Sequence, residues 1–576
     1  MQLLHARLSI VDSVGGAQPM RRANLLVSYN GEIYNHVQLK EQHQLRCETQ
    51  SDTEVLLAMY EQYGLACFDM IDGMFAVALY DADKKKLILA RDRAGEKPLY
   101  ISQTKNQLLF ASELNTLATM CRLKVDDAAI NSYLSTGVFF RSGTPYENVY
   151  ECPAGCYIEV NTESLETKLT RWFDLSKTAE ASDPSFDESA LIDQLDSRLH
   201  ESVKNRLLSS DLEVGAFLSG GIDSGLVTAI ASQYTDALKT FTVSFEGQFD
   251  ESALAESVSA KYCTQHETLR IDYGNLDQNI EQILLNYGEP ICDDSVIPTW
   301  YVSQAAKQHV TVVLTGDGAD ELFGGYRRYV PFSKFDLFSS ENRKFNLWKP
   351  LHRVLPRPTN KMSYYNYGYR LVDLMKSSDL ERYLATTINV NSEGLAHVQR
   401  CGELSQFYKA LAQTSNSSLS KLMLMDFHTL LHGALLPKMD IGSMAHSLET
   451  RSPFLSSDIL SFAHSLNDKY KIRGNTTKYA LRELARRYLP EQVQSAPKRG
   501  FETSLENIVS VRLKSIIHDY LSDSNAYVRQ FYKPGFVDAL LSGSASMSST
   551  QRARTLWMIF CVEVWAARAA ITSQSV

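Results

Sequence analysis

The sequence predicts two domains in series, an α+β domain dominated by strands followed by a larger α/β domain with a parallel sheet and a helical extension. Three observations carry this reading. The chain has 576 residues, more than one compact core accommodates. Short apolar runs separated by turn chemistry fill the first 160 residues, whereas strand, loop and helix patterns alternate from about residue 190. Between them, residues 176–187 shift to Ser, Asp, Glu, Lys and Pro without apolar periodicity, as a linker does.

In the first domain, residues 25–29, 75–80 and 87–91 are strand candidates, the last two separated by Asp81-Ala82-Asp83. In the second, helical periodicity over residues 191–208 leads into a strand at 213–218, a Gly-rich turn and a helix over 226–233. Residues 240–245 and 310–314 are further buried-strand candidates, which implies a mostly parallel sheet covered on both faces. The apolar stretch 556–570 contains Glu563 and Arg568, is too short to span a bilayer, and reads as a buried helix.

Hydrophobic residues make up 44% and charged residues 22%, ordinary globular usage. A net charge of -9 provides no broad basic field for nucleic acid or a membrane surface. Nine cysteines without CxxC pairs argue against a disulfide framework or a zinc site, and a reducing cytoplasm suits them best. Cys152 and Cys156 read as small apolar side chains around a turn.

Chemistry concentrates at two strand exits. The first is Phe217-Leu218-Ser219-Gly220-Gly221-Ile222-Asp223-Ser224, where backbone amides of a Gly-rich turn and a helix N-terminus can cradle phosphate, helped by Ser219 and Ser224. Asp223 beside a polyphosphate is repulsive unless a divalent cation lies between them, so it is a candidate Mg2+ ligand. The bland alternative is an ordinary capped helix start. The second exit is Thr315-Gly316-Asp317-Gly318-Ala319-Asp320-Glu321. Asp320 completes a metal pair with Asp223, Asp317 positions or deprotonates an incoming amine, and Arg327 and Arg328 are available for phosphate or carboxylate. Ligands of open α/β sheets collect at such exits, so both loops are expected to face one site.

SGGIDS resembles the loop of the PP-loop ATP pyrophosphatases and lacks the Walker A lysine, which weighs against γ-phosphoryl transfer. With TGDGADELFGGYRRY, EPICDDSVIPTW, KMDIGSMAHSLETRSPFL and TKYALRELARRYLPEQVQSAPKRGF, the chain resembles the glutamine-hydrolysing asparagine synthetases along nearly its whole length. The resemblance implies ATP contacts at Leu218, Ser219, Gly220, Gly221, Asp223, Ser224, Val243, Thr315 and Gly316. It also implies that Lys478, by itself just another helix lysine, stabilises the adenylation transition state. Asp317 stands where some relatives carry glutamate, which leaves the acceptor open.

Arg7-Leu8-Ser9-Ile10-Val11-Asp12, Asn30-Gly31-Glu32 and Ser51-Asp52-Thr53-Glu54 resemble the glutamine pocket of class II amidotransferases. Arg7 suits the α-carboxylate of glutamine, Glu32 and Asp52 its α-ammonium, and Asn30 with the Gly31 amide an oxyanion. The family nucleophile is an N-terminal cysteine that is its own base, whereas residue 1 here is Met. The expectation is a start further upstream in the natural protein, with free ammonia alone serving the chain as written.

The implied architecture is an incomplete Ntn-type αββα sandwich over residues 1–165 and a PP-loop synthetase domain over 190–576. The implied reaction converts ATP and aspartate, with glutamine or ammonia as donor, to asparagine through β-aspartyl-AMP. ATP and Mg2+ are the cofactors, no nucleic acid or membrane takes part, and a homodimer is the oligomer this reading allows. Alternatives are a relative acting on a sugar carboxylate of a cell-surface polysaccharide or closing a β-lactam, a tRNA-modifying PP-loop enzyme, and a silent regulatory copy.

Overall fold

The structure is a computed structural model that describes residues 2–140, 142–177, 187–244, 251–270, 275–335, 379–387, 392–496 and 505–574. Most of the expected linker, residues 178–186, lies outside the described residues, as does Phe245 at the end of one expected strand.

Nine strands form two antiparallel sheets in the first part of the chain: β1 (Met20–Arg22), β2 (Leu25–Ile33), β3 (Gly73–Asp81), β4 (Lys86–Arg91), β5 (Tyr100–Gln103), β6 (Leu108–Ala111), β7 (Val149–Glu151), β8 (Cys156–Asn161) and β9 (Thr167–Arg171). The larger sheet runs β1-β2-β3-β4-β8-β9 and the smaller β6-β5-β7. β3 is buried along nearly all its length because both its faces are covered. On one face Val77 and Leu79 pack with Val55, Leu56 and Met59 of the helix Asp52–Tyr63. On the other Ala76, Ala78, Leu87 and Leu89 meet Leu99 and Ile101 of the smaller sheet, with the Cys152 and Cys156 thiols between. Ser51 starts the helix, its hydroxyl accepting from the Thr53 amide at 3.2 Å.

Among the described residues the second part is built on five parallel strands, β10 (Val214–Phe217), β11 (Lys239–Ser244), β12 (Gln265–Arg270), β13 (Val312–Leu314) and β14 (Glu449–Arg451), ordered β12-β11-β10-β13-β14. β14 is an addition to the expected strands, too short for periodicity to reveal. The helices Glu188–Leu208 and Ile222–Ala231 cover one face; Val302 and Ala306 of the helix Val296–Ala306 meet Phe241, Val243 and Val313 on the other. Strand order reverses between β10 and β13, which opens a crevice at their carboxyl ends.

The helix Ser549–Gln574 is buried from Leu556 to Ala566 except where it turns outward beyond. Glu563 is tolerated there because its two oxygens accept from the Tyr527 and Val528 amides, both at 2.9 Å.

The halves are packed together. Ile10, Val11 and Phe140 join the core of the parallel-sheet domain, and Tyr100, Leu114 and Tyr133 join that of the C-terminal helices. Lys97 Nζ lies 2.5 Å from Asp440 Oδ1 across this junction, with both side chains buried. Replacing Lys97 by methionine leaves a buried carboxylate unpaired, so stability is expected to fall by about 3–5 kcal/mol. A urea unfolding midpoint within error of wild type would contradict this.

Candidate active site

A cavity of about 560 Å³ occupies the crevice. It is within the range that takes a nucleotide-sized ligand. The β10 exit forms one wall. Ser219 N–H donates to Ser224 Oγ at 3.1 Å, and the two hydroxyls lie 3.0 Å apart, so the turn is closed by its own serines. Gly220 sits at φ +79, where a Cβ would meet the Glu251 carbonyl at 2.8 Å, so only glycine serves. Helix Ile222–Ala231 begins at Gly221 without a side-chain cap, which leaves its first amides for an anion.

The β13 exit forms the facing wall, with Thr315, Gly316, Asp317, Gly318 and Asp320 lining the cavity. The Thr315 amide donates to the Arg451 carbonyl at 2.9 Å, and the Ser452 hydroxyl donates to the Asp317 carbonyl at 2.6 Å. β14 thus holds the loop from behind.

Lys478 joins the walls. Its Nζ is 2.5 Å from Asp223 Oδ2 and 2.6 Å from Asp320 Oδ1, from positions 255 and 158 residues away in sequence. Burial opposes the ammonium, but Asp223 and Asp320 outweigh it and hold the Lys478 pKa above its ordinary value. The residue adopts φ +53, a left-handed conformation that non-glycine residues enter at a cost, just before the helix Tyr479–Tyr488. Asp223 Oδ1 is buried without a hydrogen-bond partner. A Cβ on Gly325 would stand 1.7 Å from Asp320 Oδ1 and 2.3 Å from Lys478 Cε. Gly325→Ala is therefore expected to displace both and cut nucleotide-dependent turnover by roughly 10²-fold, with the circular dichroism unchanged. Wild-type turnover would refute the close approach.

Burial pushes the Asp317 carboxyl up, Lys438 and the Thr315 hydroxyl pull it back, and Asp223 and Asp320 raise it further; the net shift is upward. Val243 lines the cavity as expected, but the Leu218 side chain is turned into the core and Phe217 lines in its place. Arg327 lines the cavity; Arg328 does not, because its guanidinium is 2.6 Å from the buried Asp426 carboxylate. This corrects the expectation that both arginines serve a ligand.

The lining residues without a role in the sequence reading include Asp293, Lys438, Thr477 and Arg482. Lys438 Nζ lies 3.7 Å from Asp293 Oδ2, so a cation and an anion stand together beside Asp317. Arg482 follows Lys478 by one helical turn, a spacing that places both on one face and was the available signal. Lys438 and Asp293 fall within KMDIGSMAHSLETRSPFL and EPICDDSVIPTW, whose local pattern names no ligand for them.

The glutamine-pocket candidates gather separately. Asp52 Oδ2 accepts from Tyr29 Oη at 2.8 Å and from the Ile33 amide at 3.1 Å. Glu32 is buried, and burial raises its carboxyl well above the ordinary range, with Asp52 adding to the rise and Arg451 and Arg7 opposing it. Asn30 Nδ2 donates to Ser112 Oγ at 3.3 Å. Gly31 faces Met74, whose carbonyl would lie 2.0 Å from a Cβ. Arg7 donates to the carbonyls of Val11, Asp12 and Ser13 on its own loop. Glu32 departs from expectation in one respect: its Oε2 is 3.2 Å from Arg451 Nη2 of the other half.

A Gly-rich anion turn, a facing acidic loop and a buried lysine at a strand-order reversal define a nucleotide-handling α/β domain, joined here to a strand sandwich. The asparagine synthase family model matches residues 194–567, and a glutamine amidotransferase domain model matches residues 1–173. The chain belongs to the asparagine synthase family. It is 30% identical to asparagine synthetase [glutamine-hydrolyzing] 1 of Bacillus subtilis over 97% of this chain and 88% of that protein. A putative asparagine synthetase [glutamine-hydrolyzing] 2 of Methanocaldococcus jannaschii is 34% identical over 58% of this chain and 68% of its own length. Asparagine synthetase B of Escherichia coli is 32% identical over 56% of each chain.

Proposed function

We propose that this chain is a carbon-nitrogen ligase that makes asparagine from aspartate and ATP, with glutamine or ammonia as nitrogen donor. The observation that carries this reading is the convergence of the two loops on Lys478 in one cavity. Such an arrangement suits attack of a carboxylate on the α-phosphorus with loss of pyrophosphate. The Ser219–Ser224 turn receives the departing phosphates through its amides and hydroxyls. Lys478 faces the charge that grows on the pentavalent phosphorus. Lys438 and Asp293 match the α-carboxylate and α-ammonium of aspartate. Ammonia then attacks the acyl carbon of the β-aspartyl adenylate, AMP leaves, and Asp317 accepts the proton released.

Asp223 and Asp320 converge on a cation, and the unpartnered Asp223 Oδ1 suits an oxygen-seeking metal. They are the residues that would hold Mg2+, which neutralises phosphate charge when it arrives with ATP. Arg7, Asn30, Gly31, Glu32 and Asp52 are the glutamine set, in a unit we take as Ntn-type. No helix among the described residues is long and apolar enough to cross a membrane. We place the enzyme in the cytoplasm.

The test is pyrophosphate release by the purified chain with Mg-ATP and ammonium, with and without aspartate, together with assay of asparagine and AMP. Equimolar pyrophosphate and asparagine that depend on aspartate are expected. ATP binding without aspartate-dependent release would sink the assignment.

A further inference from the structure

One buried residue links the candidate glutamine pocket to the loop that carries Asp317. Arg451, at the end of β14, is wholly inaccessible to solvent. Its Nη2 lies 3.2 Å from Glu32 Oε2, its Nε donates to Glu449 Oε1 at 2.8 Å, and its Nη1 donates to the Arg206 carbonyl and Ser209 Oγ at 2.7 and 2.8 Å. Its guanidinium also lies 5.4 Å from the Tyr34 ring centroid. The main chain of the same residue accepts from the Thr315 amide at 2.9 Å, and its neighbour Ser452 holds the Asp317 carbonyl. The β2 strand of one half and the Thr315–Asp320 loop of the other are therefore joined through a single side chain and its own backbone. At the far end, Glu32 Oε1 is buried without a hydrogen-bond partner. An unpaired buried carboxylate oxygen calls for a charged donor.

We propose that Arg451 is a positioning residue that couples the two sites: an α-amino acid whose ammonium reaches Glu32 Oε1 completes that carboxylate, tightens its pair with Arg451, and through β14 steadies the Thr315–Asp317 segment for adenylation. This rests on the assignment of Glu32 to the glutamine ammonium. Neutralising or removing the second cation relaxes the pair, because a buried carboxylate with one partner is less well held than one with two. A plain structural strut predicts something different, namely two ligands that bind independently.

Calorimetric titration of the full chain separates these. At constant Mg2+ and aspartate, L-glutamine is titrated with and without α,β-methylene-ATP, and the nucleotide analogue is titrated with and without glutamine. Each is expected to tighten the other by the same factor, about fivefold or more, since coupling is reciprocal. In Arg451→Lys, which keeps the charge but not the planar fork, both ligands should still bind while the factor falls toward one. Glu449→Gln, which leaves Arg451 in place but loosens it, should give an intermediate factor and serves if Arg451→Lys lowers the thermal midpoint severely. Independent binding in the wild type, or full coupling in both variants, would overturn the proposal. So would absence of glutamine binding in a chain that still shows aspartate-dependent pyrophosphate release; loss of that release would instead overturn the synthetase reading.

Discussion

Lys478→Met should lower aspartate-dependent pyrophosphate release by about 10²–10³-fold while leaving the nucleotide bound, the loss found when one preorganised group facing transition-state charge is removed. The ammonium sits 2.5 and 2.6 Å from two carboxylates and is held charged by them against its burial. Little reorganisation is then needed when charge develops on phosphorus. Lys478→Arg should fail as well, because a planar guanidinium does not fit a point position between Asp223 and Asp320 with Gly325 at its back. Methionine also removes the ammonium that lies between the two carboxylates. The thermal midpoint of Lys478→Met should therefore rise with added Mg2+ more steeply than that of the wild type. Near-normal pyrophosphate release in the methionine variant would show that the lysine is only a clamp between loops.

Asp317→Asn should separate the two half-reactions. Adenylation does not need a base at this position, so a burst of about one pyrophosphate per enzyme is expected, followed by turnover slowed about 10²–10⁴-fold. Rapid-quench measurement with ammonium as donor reads both. The wild-type rate should also fall at low pH with a limb above the ordinary carboxylate range, since burial raises the Asp317 pKa and the ionised form is the base. The asparagine variant should lose that limb. Linkage runs the other way for stability: a carboxyl whose folded pKa is raised holds its proton more tightly when folded, so its contribution is present at low pH and is lost as pH rises through the folded pKa. Steady multiple turnover by Asp317→Asn would rule out the base.

Much of this site was legible because its parts are local. A Gly-Gly turn flanked by serines between strand and helix suits phosphate, and Thr315 to Asp320 is dense enough in carboxylates and glycines to stand out as its partner. Both loops do line one cavity. Arg328 misled because a charge beside a binding loop looks the same whether it faces a ligand or a buried Asp426 nearly a hundred residues on. Lys438 and Asp293 went unassigned for the converse reason: each lies on a helix or its approach, and their meeting depends on how separate helices pack.

The sequence by itself determined the two loops and the alternation of strand and helix around them, because backbone conformation and apolar periodicity act over a few residues at a time, and its motifs carried the resemblance to the family. The tertiary structure alone decided which charges meet. It placed Lys478 between Asp223 and Asp320, turned Leu218 to one buried face of the sheet and Phe217 to the other beside the cavity, and set Arg451 against Glu32 across the two halves. Buried charges must find partners of opposite sign, and in a chain of this length those partners come from elements that only packing brings together.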